Sequence, residues 1–274
     1  MWIEYHRSTN IIGHMMGEWA ALRPTMTFVR KTVPRPSIPD VVAALERMHG
    51  DEHWHWTLES DPFEVAGGAI LVQHTSWTNA ERAIDRLREA GVLDPRRLAG
   101  LPDEAVEELI RPSGQYRTKA RKLRAFLDLV ARYGSVDALL ALPPDTLRQQ
   151  LLATWGIGPE TADAIALYAA GYPAVVVDAY TRRLFSRLAL GPSPDASYAS
   201  WQAYLADALP ADAPALARFH ALVVLHGKRL CLARRPRCSR CELAPRCAFA
   251  AAPPLPPSAP RRLVSPQSHG NKSH

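Results

Sequence analysis

Apolar residues recur at intervals of three and four along most of the chain. Val41, Ala44, Leu45 and Met48 make one stripe, Ile84, Leu87 and Ala90 a second, and Leu123, Leu127, Val130 and Ala131 a third. Such a period puts each set on one face of a helix. Gly50, Gly91, Gly134, Gly171 and Gly191 punctuate these runs as helix stops. The one strong β-branched run, Val175–Val177, is too short to imply a sheet. The pattern therefore predicts an all-α fold of about ten helices spanning residues 37–249. Residues 1–36 lack sustained periodicity and are broken by Pro34 and Pro36, so they read as a poorly ordered extension. Residues 250–274 are rich in Pro and Ser and read as a disordered tail.

At 274 residues, 47% of them hydrophobic, the chain suffices for one large domain or two lobes sharing a cleft. The formal net charge of +6 suits a polyanionic partner such as nucleic acid, and equally a solvated basic surface. No apolar run reaches the length of about 18 residues that a membrane span needs. The N-terminus lacks a positive start followed by an apolar core, so no secretory leader is expected. A cytoplasmic protein follows from this reading, associated with the nucleoid if the source is bacterial.

All four cysteines fall between Cys231 and Cys247, in the order Cys231, Cys238, Cys241 and Cys247, spaced C-x6-C-x2-C-x5-C. A disulfide framework suits short secreted chains, and metal binding is the better expectation here. Four thiolates can hold zinc or a [4Fe–4S] cube. Structural zinc sites usually pair two short C-x2-C knuckles, whereas only Cys238 and Cys241 form one here. The wider net suits the cluster. The intervening residues are basic (Arg234, Arg235, Arg237, Arg240 and Arg246), which makes the loop a candidate phosphate-contacting surface.

Residues 147–170 read as a helical hairpin. Leu147, Leu151 and Leu152 belong to its first helix; Ala162, Ile165, Ala166 and Ala169 share one face of the second, which starts near Pro159. Between them, Gly156-Ile157-Gly158 makes a tight turn whose amides can approach a phosphate. Next, Val175–Val177 delivers Asp178 to the start of another helix. Asp178 reads either as a helix cap, worth about 1 kcal/mol, or as a cleft carboxylate. Cleaving a base from deoxyribose passes through an oxocarbenium-like sugar, and a carboxylate can stabilise that charge or activate the attacking water. One Asp can both cap and catalyse.

These features, in this order over residues 60–249, resemble the endonuclease III family of helix-hairpin-helix DNA glycosylases. The resemblance implies a two-lobed all-α fold with a C-terminal [4Fe–4S] loop, double-stranded DNA in the cleft, and a damaged base flipped into a pocket. It places the catalytic carboxylate at Asp178 and the cluster ligands at Cys231, Cys238, Cys241 and Cys247. A monomer is expected. Bifunctional members carry a lysine in the second hairpin helix, where this chain has Glu160 after G-I-G-P. A carboxylate forms no Schiff base, so the resemblance implies a monofunctional enzyme that uses water. Glu160 itself reads as a first-turn acid facing the helix dipole. Arg111–Tyr116, Lys119-Ala120, G-I-G-P-E-T-A-D-A-I and Ala217–His220 look most like the 3-methyladenine glycosylase branch, whose members often lack the cluster.

An electron-poor alkylated purine stacks well between aromatic rings, and Trp54, Trp56 and Trp77 are candidates for them, with core packing as the alternative. By resemblance, Gln73 fills the hole left by the flipped base; otherwise it caps a helix end. Gly156, Gly158, Lys119, Lys122 and Lys228 are candidate phosphate contacts, although each lysine taken singly reads first as a solvated surface charge. His220 and His226 read as proton shuttles or as structural histidines. Two other functions stay open: an endonuclease III-like enzyme for oxidised pyrimidines or mismatched uracil and thymine, and a non-catalytic iron–sulfur DNA-binding protein. Binding alone needs no buried carboxylate, which favours an enzyme.

Overall fold

A computed structural model describes residues 34–252 apart from 53, 55 and 57. Among them are thirteen α-helices, three short 3-10 turns and no strand. This exceeds the helix number expected from sequence because short capped segments, such as Pro95–Ala99 and Val136–Leu140, escape a periodicity reading. The extension over 1–36 and the tail over 250–274 lie largely outside the described residues. At the inner edge of the extension, Pro36 is buried and Arg246 donates to the carbonyls of Pro34 and Arg35, so residues 34–36 dock on the cysteine loop.

Helices α2 (Pro62–Leu71), α3 (Trp77–Glu89), α5 (Asp103–Leu109), α6 (Tyr116–Tyr133), α7 (Val136–Leu140), α8 (Pro144–Leu152) and α9 (Pro159–Tyr168) pack into one group. α2 lies at its centre against α3, α6, α7 and α9, and eight of its ten residues are buried. Such a helix, apolar on all sides, is what a core position requires. In a second group, α1 (Ile38–His49) and α10 (Ala179–Arg187) pack on α12 (Ala213–Arg229), and α9 also touches α12. Gly227 permits the close crossing of α10 and α12, since a Cβ there would lie 2.2 Å from Cδ1 of Tyr180.

Most of the predicted stripes are core: Val41, Ala44 and Leu45 on α1, Ile84 and Leu87 on α3, and Leu123, Leu127 and Val130 on α6 are buried, whereas Met48 is half-buried and Ala90 and Ala131, at the ends of α3 and α6, are exposed. Leu152, by contrast, ends α8 with 37% of its surface exposed. No helix among the described residues is long and apolar enough to cross a membrane.

Candidate active site

The hairpin forms where its sequence predicts, with α8 and α9 joined through residues 153–158. Gly156 takes φ +85°, a left-handed conformation, and a Cβ there would meet Cγ of Lys122 at 2.3 Å. Both the turn and the packing therefore demand glycine at this position. Gly158 is the residue before α9, and a Cβ there would meet nothing within 4 Å. Ile157 is buried and anchors the turn from below.

Val175–Val177 is buried outside any helix, and it sets Asp178 at the N-cap of α10. Oδ1 of Asp178 accepts from the Thr181 amide at 2.7 Å and from the Thr181 hydroxyl at 2.8 Å. Its Oδ2 lies 3.8 Å from Nε2 of His220. Burial favours the neutral acid, but His220 and Thr181 outweigh it and hold the carboxyl below the usual range. His220 is fixed in turn: its Nδ1 is 2.9 Å from the Tyr168 hydroxyl, which donates to the Ala217 carbonyl at 3.0 Å.

Asp178 opens onto a cleft of about 1010 Å³ walled by α2, the hairpin, α10 and α12. Trp54, Trp56, Gln73, Trp77, Gly156, Gly158 and Lys228, all proposed from sequence, line it with Asp178. The tryptophans differ in kind. Trp56 is a core residue with one edge on the cleft, packed edge-on against Trp77 at 5.0 Å, and Gly68 makes room for it. Trp54 meets His220 edge-on, and the Lys228 ammonium lies 5.8 Å from its ring centre. Gln73 bridges the cleft wall: its amide donates to Thr161 Oγ1 at 2.9 Å and to the Gly156 carbonyl at 3.2 Å, and its Oε1 accepts from Lys122.

One expectation is corrected. Lys119 is 2% exposed, and its ammonium donates to the carbonyls of Leu71 at 2.8 Å and Ser113 at 2.6 Å. Burial, with help from Lys122, pushes it down to about 8. An ammonium consumed by two buried carbonyls joins helices and does not reach a phosphate. Lys122, one turn along α6, stands at the cleft instead.

Sequence reasoning undervalued Glu160. It lines the cleft and is open to it, in the first turn of α9. The cleft's walls and the charge of Asp178 push its carboxyl up to about 7, against the pull of His220 and Arg182. Its sequence signal, an acid just after a helix start, does not distinguish a dipole partner from a cleft group. Trp155, 49% exposed with Arg121 stacked 4.4 Å from its ring centre, also marks the hairpin surface.

The four cysteines, none in a disulfide, line a second, much smaller cavity of about 20 Å³ with Leu184, Leu188, Leu230 and Leu243. Arg187 borders it, its Nη1 3.1 Å from Cys231 Sγ. Among the described residues, no three His, Cys, Asp or Glu side chains are grouped to hold a single metal ion.

An all-helical fold with a glycine-turned hairpin and a buried carboxylate on an aromatic cleft defines a base-excision type of protein. Residues 68–204 match the HhH-GPD superfamily base excision DNA repair protein family, and the chain belongs to that superfamily. It is a DNA N-glycosylase of the endonuclease III-like kind. MJ1434 of Methanocaldococcus jannaschii, provisionally named a DNA repair glycosylase, is 38% identical over 202 residues, 73% of this chain and 90% of that protein. A structure of endonuclease III in a non-covalent complex with DNA superposes with a TM-score of 0.67 at 25% identity, covering 78% of this chain and 94% of that one. The 3-methyladenine DNA glycosylase of Helicobacter pylori bound to 1,N6-ethenoadenine shares the fold, with a TM-score of 0.62 at 24% identity over 69% of this chain and 96% of that one.

Proposed function

We propose that this glycosylase is monofunctional: it flips a damaged base out of duplex DNA, hydrolyses the N-glycosidic bond with water, and leaves an abasic site. The carrying observation is the cleft's chemistry. Its acidic wall holds two carboxylates, Asp178 and Glu160, and hydrolysis of a glycosyl bond is work for carboxylates. The ammonium that lies in the cleft beside Asp178, that of Lys228, is packed towards the Trp54 ring. Asp178, held ionised within the protein, faces the cleft to stabilise the sugar's developing positive charge.

Alkylated purines such as 3-methyladenine are the proposed substrates. Their positive charge and flat shape match a cleft lined by the rings of Trp54, Trp56 and Trp77 and by the carboxylates of Asp178 and Glu160. Gln73, on the hairpin side, is the proposed occupant of the vacated stack. The DNA backbone meets the turn at Gly156 and Gly158, with Lys122 and Lys228 beside it. The protein acts as a monomer in the compartment that holds DNA.

Cys231, Cys238, Cys241 and Cys247 are the proposed ligands of a [4Fe–4S] cluster. Four thiols facing one cavity, with the Arg187 guanidinium at its edge, fit a group that is anionic when ligated. When bound, the cluster supplies a cross-link between the ends of the loop and the one-electron capacity of iron. Purified protein is then expected to carry about four irons per chain and a visible thiolate-to-iron absorbance.

Duplexes bearing single lesions test the substrate. Release of 3-methyladenine without strand cleavage is the expected result. Cutting at thymine glycol, with nothing released from methylated DNA, overturns this reading in favour of the oxidised-pyrimidine alternative.

A further inference from the structure

We propose that Glu160 is the general base of the reaction, holding and deprotonating the attacking water, while Asp178 serves the sugar's charge alone. This rests on the glycosylase reading above and divides two roles that a single carboxylate was first expected to combine.

Both carboxylates wall the same cleft, but their surroundings differ. Asp178 is 8% exposed, and one of its oxygens is taken by two hydrogen bonds from Thr181. A carboxylate held in this way is a poor proton acceptor. Glu160 is open to the cleft and makes no hydrogen bond or ion pair with the described residues. Its oxygens are available to a water molecule, and the shift of its carboxyl up to about 7 matches a base that works at neutral pH. Two carboxylates whose environments push them apart divide labour in this manner. The groups that act on Glu160 are Asp178 at the N-cap of α10, Arg182 of α10 and His220 of α12, and Tyr198 in turn feels its charge; Lys122 and Lys228 line the same cleft.

The step balances. As the C1′–N bond breaks, its electron pair leaves with the base, and a cationic alkylated purine departs neutral without needing an acid. The water oxygen bonds to C1′, and its proton passes to an Oε atom of Glu160, which later releases it to solvent.

The test compares wild type, Glu160→Gln and Glu160→Ala under single-turnover conditions, on a duplex the wild type cleaves. Glu160→Gln is expected to slow base release by about 100-fold or more with its affinity for the lesion duplex unchanged. The wild-type rate is expected to fall below about pH 7 as Glu160 protonates, and that acid limb should vanish in Glu160→Gln. Azide should restore turnover to Glu160→Ala and form a sugar azide, a product that no structural role of Glu160 generates. A Glu160→Gln rate within about threefold of wild type, with the acid limb intact, overturns the assignment and returns water activation to Asp178. If wild type releases no base from any lesion, the glycosylase reading fails first.

Discussion

The two ends of α10 are built by different rules. At its start, Asp178 caps the helix through Thr181, three residues away, and faces the cleft. Towards its far end, Arg183 at mid-helix donates to the carbonyls of Cys231 and Gly227, and the terminal Arg187 to those of Leu232 and Ala233, partners 44 to 48 residues distant. The cap at the first end follows from local sequence, with His220 of α12 as a distant neighbour. The second exists only once α12 and the cysteine loop have folded over it. One short helix thus ties the chemistry to the cysteine loop, and each end can be damaged separately.

The largest effect is expected at the cleft end. Asp178→Asn should reduce base release about a thousandfold. The amide still accepts the cap hydrogen bond, so stability near neutral pH should change by less than about 1 kcal/mol. Binding to a lesion duplex should survive. The variant also isolates a pH effect. Asp178 titrates below its unfolded value, so its ionised form stabilises the fold above that value, and the contribution is lost as pH falls through the folded one. Denaturation of wild type and variant should therefore converge on acidification. A variant that keeps wild-type turnover would remove Asp178 from the chemistry.

At the other end the expectation reverses. Arg187→Ala removes hydrogen bonds to two carbonyls and the contact with Cys231, and it uncovers Phe249, which stacks with the guanidinium at 4.4 Å. A loss of about 2 kcal/mol is expected, with earlier thermal unfolding and, for the proposed cluster, faster loss of iron to a chelator. Base release at low temperature should stay near wild type. If turnover collapses while iron content and melting hold, the two ends of α10 are not separable.

The same contrast between local and distant partners explains what the sequence revealed. The stripes of α1, α3 and α6, the hairpin turn, and Asp178 were legible because their determinants lie within a few residues. Lys119 was misread because its charge suggested a surface contact, although it sits four residues before Leu123 on the buried stripe of α6; its partners, Leu71 and Ser113, come from other segments. Trp56 could not be told from Trp54 without knowing that Gly68 opens a slot for one of them. Glu160 looked like an ordinary first-turn acid because the group that alters its titration, Asp178, arrives from another element. The cysteine spacing was legible, whereas the arginines that clamp its loop were not.

The smallest effect concerns the neighbouring lysines. Lys122→Met keeps the aliphatic stem that packs beside Gly156 but removes the charge that holds Gln73. Affinity for duplex DNA should fall severalfold, roughly evenly across sequences, and the slope of log affinity against log salt should drop by about 1. Lys119→Met serves as the contrast. Its charge reaches no solvent, so its salt slope should match wild type, and its cost should appear in stability, where two buried carbonyls lose their donor. Equal salt slopes for Lys122→Met and wild type would take Lys122 off the DNA path and leave the hairpin backbone and Lys228 as the phosphate contacts.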